Sequence, residues 1–214
     1  MQAGGSLHIA CLPALAQALL PRALVHLNAH VPGLSVSVHP LESPWLEQAL
    51  AEQRFDAGLS ETAQPPAGVA LQTLGEWNEV AVLPTGHALA HKAVLSPQDF
   101  ANQPFISLAP SDPYRQAIDQ QFEAHGVPRI QTLETASAAA VCACVRHGLG
   151  MAIVNPLTAA ELQGPELLVR PITMHLPFRV NVLLPQVAAP HPMQAALLAA
   201  LAHAAQALQL PAAA

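Results

Sequence analysis

Apolar positions along the chain alternate between two spacings, and each change of spacing marks the edge of an element. Leu7-His8-Ile9-Ala10-Cys11 is a short apolar run and predicts a strand. Behind it Leu15, Leu19, Leu20, Ala23, Leu24 and Leu27 recur at helical spacing, predicting one helix that stops at Val31-Pro32-Gly33. Residues 34–38 alternate as a strand. Ser43 then stands as an N-cap before Pro44, with Leu46, Ala49 and Leu50 on the inner face of the next helix. Residues 55–59 predict another buried strand. Strand, helix, strand, helix, strand is the order of a parallel sheet with crossover helices.

Further strands are expected at residues 69–74, 80–83 and 105–108. Asp112-Pro113 opens a helix with Tyr114, Ile118 and Phe122 in line, closed by Gly126 and Pro128. Ser137 caps a helix carrying Val141, Cys144 and Val145, which ends on Arg146, His147 and Gly148. Residues 151–154 form a buried strand and Asn155-Pro156 starts a short helix. A strand at residues 180–184 precedes a last helix bearing Met193, Leu197, Leu198, Leu201 and Leu208. The expected architecture is two α/β lobes. Residues 5–83 and 181–214 form the first and residues 84–180 the second.

Composition narrows the function classes. Hydrophobic residues make up 52% of the 214 positions and charged ones only 10%, against roughly 25% charged in ordinary soluble domains. Such a chain has ample material for a core and is not disordered. With eight Lys and Arg against fourteen Asp and Glu, a net charge of −6 argues against a surface that grips nucleic acid through phosphates. No apolar run of about twenty residues indicates a membrane span, and the first residues lack the pattern of a secretory signal. Three cysteines, Cys11, Cys142 and Cys144, make no disulfide framework, so free thiols in a reducing cytoplasm are expected. The 21 prolines are punctuation: Pro13, Pro44, Pro113, Pro156 and Pro192 each open a helical pattern.

Chemistry is expected at the strand-to-helix junctions, because ligands of open α/β sheets bind outside the carboxyl ends of the strands. Those junctions hold Pro13 and Ala14, Ser43, Ser60 with Glu61, the segment from Ser107 to Asp112, Thr135 with Ser137, and Asn155. Free N–H groups at helix starts suit a carboxylate. Singly, Ser43, Asp112 and Ser137 are ordinary N-caps; the set on two lobes is what points to a ligand. Trp45 and Tyr114 flank helix starts, where they stack on a ligand or, for Trp45, pack in the core or against another subunit. Cys11 precedes a helix and reads as a cleft-lining or core thiol rather than a nucleophile, since no partner base can be named. Hydrolase, phosphate-loop and dinucleotide motifs are missing, and His87 and His91 read as surface residues rather than metal ligands. No catalytic residue, metal or cofactor is expected.

Several segments, in order, resemble the effector-binding domain of LysR-type transcriptional regulators. They are Leu7-His8-Ile9-Ala10, His30-Val31-Pro32-Gly33-Leu34-Ser35-Val36, Leu50-Ala51-Glu52-Gln53-Arg54-Phe55-Asp56-Ala57-Gly58-Leu59, Val82-Leu83-Pro84-Thr85-Gly86-His87-Ala88-Leu89 and Arg146-His147-Gly148-Leu149-Gly150-Met151-Ala152-Ile153-Val154-Asn155-Pro156. Ala88 departs from the family's usual proline. Phe105-Ile106-Ser107-Leu108, Asp112-Pro113-Tyr114-Arg115 and Val154-Asn155-Pro156-Leu157-Thr158-Ala159 are similar to the branch that responds to opines and to diaminopimelate or lysine.

The resemblance implies two Rossmann-like lobes joined by two crossover segments, the type 2 periplasmic-binding-protein fold. It places effector contacts at Pro13, Ala14, Ser43, the segment from Ser107 to Asp112, Thr135 to Ser137 and near Asn155, and Ser60 joins these candidates from its junction alone. Ala14 stands where a Ser or Thr is frequent, which leaves backbone N–H groups there. The implied function is a cytoplasmic ligand sensor. A small carboxylate, an amino acid or an opine, would bias the arrangement of the lobes, with Glu61, Asp112 or Glu134 taking an ammonium group. The implied partners are a second copy of the chain, a tetramer in the full-length protein, and DNA only through an N-terminal winged helix-turn-helix not found in this sequence. The chain therefore reads as a truncated piece, with Met1 to Gly4 including added residues. A transporter's solute-binding protein, with the same lobes, is the alternative.

Overall fold

The computed structural model describes residues 6–186, 189–208 and 210. The expectation for Met1 to Gly4 lies outside them. The chain divides into two units. Of the described residues, one unit takes those up to Glu76 and from Arg179 to Leu208, the other Trp77–Phe178 and Leu210.

The first unit begins with β1 (Leu7–Cys11), α1 (Pro13–Ala18), α2 (Leu20–His30), β2 (Val36–Pro40), α3 (Trp45–Ala51) and β3 (Ala57–Ser60). β1 pairs in parallel with β2 and with β3, so the strand–helix–strand rhythm of the sequence is realised. The single helix expected from residue 15 to 27 is two, broken at Leu19. Pro21 has no N–H to carry the α1 ladder onward, so the chain restarts a turn there. Both halves keep the apolar face: Leu15, Leu19, Leu20, Ala23 and Leu27 are buried. At Gly58 any Cβ would stand 2.3 Å from Leu50 Cδ1, so the glycine lets α3 lie close on β3.

β4 (Val69–Asn78) and β10 (Pro177–Pro185) complete a sheet of order β2-β1-β3-β10-β4, with β10 antiparallel to β3. α7 (Gln194–Gln206) packs on α2. Both passages between units fall inside these two long strands, at Glu76/Trp77 and Phe178/Arg179. The spacing of the sequence places them at 83/84 and 180/181. The first differs because β5 (Val80–Pro84) is hydrogen-bonded to β8 (Ala152–Val154) and β9 (Leu167–Pro171), both strands of the second unit. Nearness in sequence to β4 does not decide which sheet a strand joins.

The second unit also holds β6 (Pro104–Leu108), α4 (Pro113–Ala124), β7 (Ile130–Thr135), α5 (Ala138–Arg146) and α6 (Pro156–Leu162). β6 and β7 are parallel, and a parallel bridge from Phe105 to Met151 sets β8 in the same direction as β6. β7 escapes the periodicity because it is largely exposed and has no apolar face. Gly148 takes φ 79° behind α5, and Gly150 lies where a Cβ would meet the Pro104 carbonyl oxygen at 2.6 Å. Those constraints account for the two glycines of the 146–156 segment. In α5 it is Cys142, not Cys144, that joins the core with Val141 and Val145.

Candidate functional site

In the second unit, Leu108 at the end of β6 pairs with Thr135 at the end of β7, and Ser107 with Glu134. Asn155 follows β8, which runs the same way. Ser107, Thr135, Ser137 and Asn155 therefore share the carboxyl edge of parallel strands, and Asp112 lies four residues beyond Leu108.

Their lone pairs are not equally available. Asp112 Oδ1 accepts from the backbone N–H of Tyr114 at 2.8 Å and of Arg115 at 3.3 Å. Ser137 Oγ accepts from Ala140 N at 3.3 Å, and Asn155 Oδ1 from Thr158 N at 2.8 Å. All three act as N-caps. Ser107 differs: it is 2% exposed and its buried hydroxyl has no hydrogen-bond partner among the described residues.

Arg115 underpins this edge. Its Nη1 donates to the Leu108 carbonyl at 2.9 Å, its Nη2 to Gln131 Oε1 at 2.7 Å and its Nε to Asp119 Oδ2 at 2.7 Å. Glu134, expected to take an ammonium, accepts from Gln131 Nε2 at 2.9 Å and lies 3.7 Å from Arg115 Nη1.

The first unit is arranged otherwise. Ser43 is not an N-cap: Pro44 occupies that position of α3 and no side chain caps the helix. Ser43 Oγ instead donates to Glu47 Oε1 at 2.7 Å, one turn into the helix, and Ser60 Oγ donates to the same oxygen at 2.6 Å. Ser60 is completely buried and also accepts from Thr62 N at 3.1 Å. Asn181, opposite Ser60 in register, donates from Nδ2 to the Thr62 carbonyl at 2.7 Å. Glu47 Oε2 and Asn181 Oδ1 are buried acceptors without a partner among the described residues. Pro13 and Ala14 are half-buried at the start of α1, which has only six residues and no side-chain cap.

Glu47, which no junction motif singles out, is the residue that joins Ser43 to Ser60. Its signal was the spacing of four from Ser43, which puts a carboxylate one turn along the helix. That Ser60 would reach it is decided by the docking of α3 on β3.

Trp45 is 66% exposed, so it is not a core residue. Tyr114 packs 5.5 Å from the Phe178 ring. Cys11 is fully buried, and burial together with the nearby Glu61 charge raises its thiol above the usual range, the opposite of a nucleophile's requirement. His87 Nδ1 accepts from Leu89 N at 3.2 Å and His91 Nδ1 lies 2.8 Å from the Ala88 carbonyl oxygen, both as turn residues. Among the described residues no group of three or more His, Cys, Asp or Glu is placed to hold a metal ion. No described helix is long and apolar enough to cross a membrane.

A family model described as the LysR substrate binding domain matches residues 2–206. The chain belongs to the LysR substrate-binding domain family. Its segment is 47% identical over 181 residues to the transcriptional activator protein LysR of Escherichia coli K12, covering 85% of this chain and 58% of that one. It is 30% identical over 175 residues to the octopine catabolism/uptake operon regulatory protein OccR of Rhizobium meliloti, covering 82% and 57%. The chain thus spans somewhat more than half the length of these relatives, whose names are those of regulators and not of enzymes. Among solved structures, the regulatory domain of Synechocystis CcmR in complex with 2-PG superposes with a TM-score of 0.77 at 20% identity, covering 95% of this chain and 99% of that one. The LysR effector-domain fold, of the type 2 periplasmic-binding-protein kind, is thereby established.

Proposed function

We propose that this ligand-binding domain senses a small carboxylate, an amino acid or opine, at the carboxyl edges of its parallel strands. The observation that carries the reading is the gathering of Ser107, Asp112, Thr135, Ser137 and Asn155 at one edge of the β6, β7 and β8 strands in a domain of a substrate-binding family. Within that edge Ser107 supplies a hydroxyl whose hydrogen bonding is unmet, and a buried unmet donor favours a ligand oxygen. In the first unit the matching residues are Pro13, Ala14, Ser43 and Ser60. Glu47 stands beside the last two as an acceptor for an ammonium group, a role that Glu61, Asp112 and Glu134 share. Octopine in the name of the Rhizobium meliloti relative supports the opine class.

A ligand acts on such a domain only through a difference in affinity between two arrangements of it. We infer that the parent protein is a cytoplasmic regulator, dimeric through this domain and tetrameric at full length. It would touch DNA through a winged helix-turn-helix outside this sequence. Titration calorimetry with amino acids, opines and aromatic acids tests the ligand class. Heat of binding from amino acids or opines, weakened in Ser107→Ala, is expected. Binding by aromatic acids alone would overturn the amino-acid reading.

A further inference from the structure

The second unit carries a pocket of about 240 Å³ at the end of its strands opposite the edge just described. Phe105 and Gln131 line it, and these pair near the starts of β6 and β7. Leu108 closes β6 three residues later, which along a strand is about 10 Å. Phe122 and Val127 supply further apolar wall, and Asp119 and Glu123 bring carboxylates from the last turns of α4.

Arg129 lies at the centre of this pocket's chemistry. Its guanidinium stands over two rings, 4.8 Å from the centroid of Phe105 and 4.2 Å from that of Phe122. Nη2 donates to Asp119 Oδ1 at 2.5 Å, but Nη1 is buried and has no acceptor among the described residues. Nη1 is closed to solvent, but 14% of the side chain is exposed and lines the pocket, where its charge favours an anion. Asp119 is a shared countercharge, because Arg115 Nε holds its other oxygen at 2.7 Å. Glu123 is exposed at the pocket and disfavours a dianion, while leaving a place for a cationic group.

We propose that this pocket is a second binding site, for a small amino-carboxylate. Its carboxylate pairs with Arg129, its ammonium with Glu123, and its side chain rests on Val127 and Phe122. A purely apolar ligand leaves the exposed part of Arg129 without a second anion, and a phosphate meets Glu123. Filling the pocket acts on the pair Arg129–Asp119, and so on Arg115, which also holds the Leu108 carbonyl. The site stands independently of the effector reading, since none of its residues belongs to the carboxyl edge.

The test is a heteronuclear NMR titration of the chain with L-leucine, propionate and isobutylamine, reading backbone amides and arginine Nε–H signals. L-leucine is expected to shift residues 119–131 and Arg129 saturably, and Arg129→Gln to weaken it by about tenfold or more. Glu123→Gln, a surface change that leaves folding intact, is expected to weaken L-leucine while leaving propionate unaltered. Shifts confined to residues 107–112, 135–137 and 155 would overturn the proposal. So would no shift at millimolar ligand, or an affinity indifferent to both substitutions.

Discussion

The two units start their helices differently. In the second, α4, α5 and α6 are each capped by a side chain, from Asp112, Ser137 and Asn155. In the first, no side chain caps α1, α2, α3 or α7. Polar residues at its junctions turn instead to a carboxylate, with Ser43 and Ser60 sharing one oxygen of Glu47. A serine before a helix looks the same in both halves of the sequence. What separates a structural serine from one available to a ligand is which N–H or carboxylate has claimed it.

Core truncation tests most strongly whether the units are separate folding bodies. Phe122 packs edge-on against Phe100 and Phe105, so Phe122→Ala is expected to cost about 3–5 kcal/mol. Leu50→Ala, under β3 in the first unit, is expected to cost about 2–5 kcal/mol. Each unit holds one tryptophan, Trp45 in the first and Trp77 in the second. Urea unfolding of Trp45→Phe and Trp77→Phe variants therefore shows where each loss appears. Losses confined to the unit of origin sharpen the comparison; one shared transition moved by both breaks it.

Arg115→Ala comes next, at roughly 2–3 kcal/mol, because a buried charged donor to Leu108, Gln131 and Asp119 is removed. The loss is expected in the second unit's transition. Smaller still, Asp112→Ala and Asn155→Ala are each expected to cost about 1 kcal/mol. Ser43→Ala, which removes no cap but does remove the exposed bond to Glu47, is expected to cost about 0.5–1 kcal/mol. Asp112→Asn keeps the cap and the stability but removes the charge. Calorimetry on that variant then reads any ligand contact free of the structural one.

The mildest contrast uses the thiols. Cys11 and Cys142 are buried, one in each unit, while Cys144 is half-buried. Iodoacetamide is expected to label Cys144 first, and the other two only as their own unit opens. Burial pushes the Cys142 thiol up to about 12 from an ordinary 9.0. The folded state thus holds a proton that the unfolded state releases more readily. Its contribution to stability is whole below pH 9 and is lost as pH rises toward 12. Cys142→Ser should flatten that alkaline loss, measured by urea midpoints at increasing pH.

Near neighbours in the chain settled much of this protein on their own. Alternation and helical spacing marked β1, β2, β3 and α4. The caps Asp112, Ser137 and Asn155 were legible because a cap bonds to an N–H two or three residues ahead. The segment with Gly148 and Gly150, read with the other motifs, was enough for the family. Tertiary structure decided what depends on partners far along the chain. It placed β5 in the second sheet through pairing with β8 and β9. It brought Ser60 to the Glu47 oxygen that Ser43 also meets, across thirteen residues. It laid Arg129 over two phenylalanines whose rings come from a strand and a helix. The reason is common to all three: spacing specifies which face a residue points to, while packing specifies what meets it there.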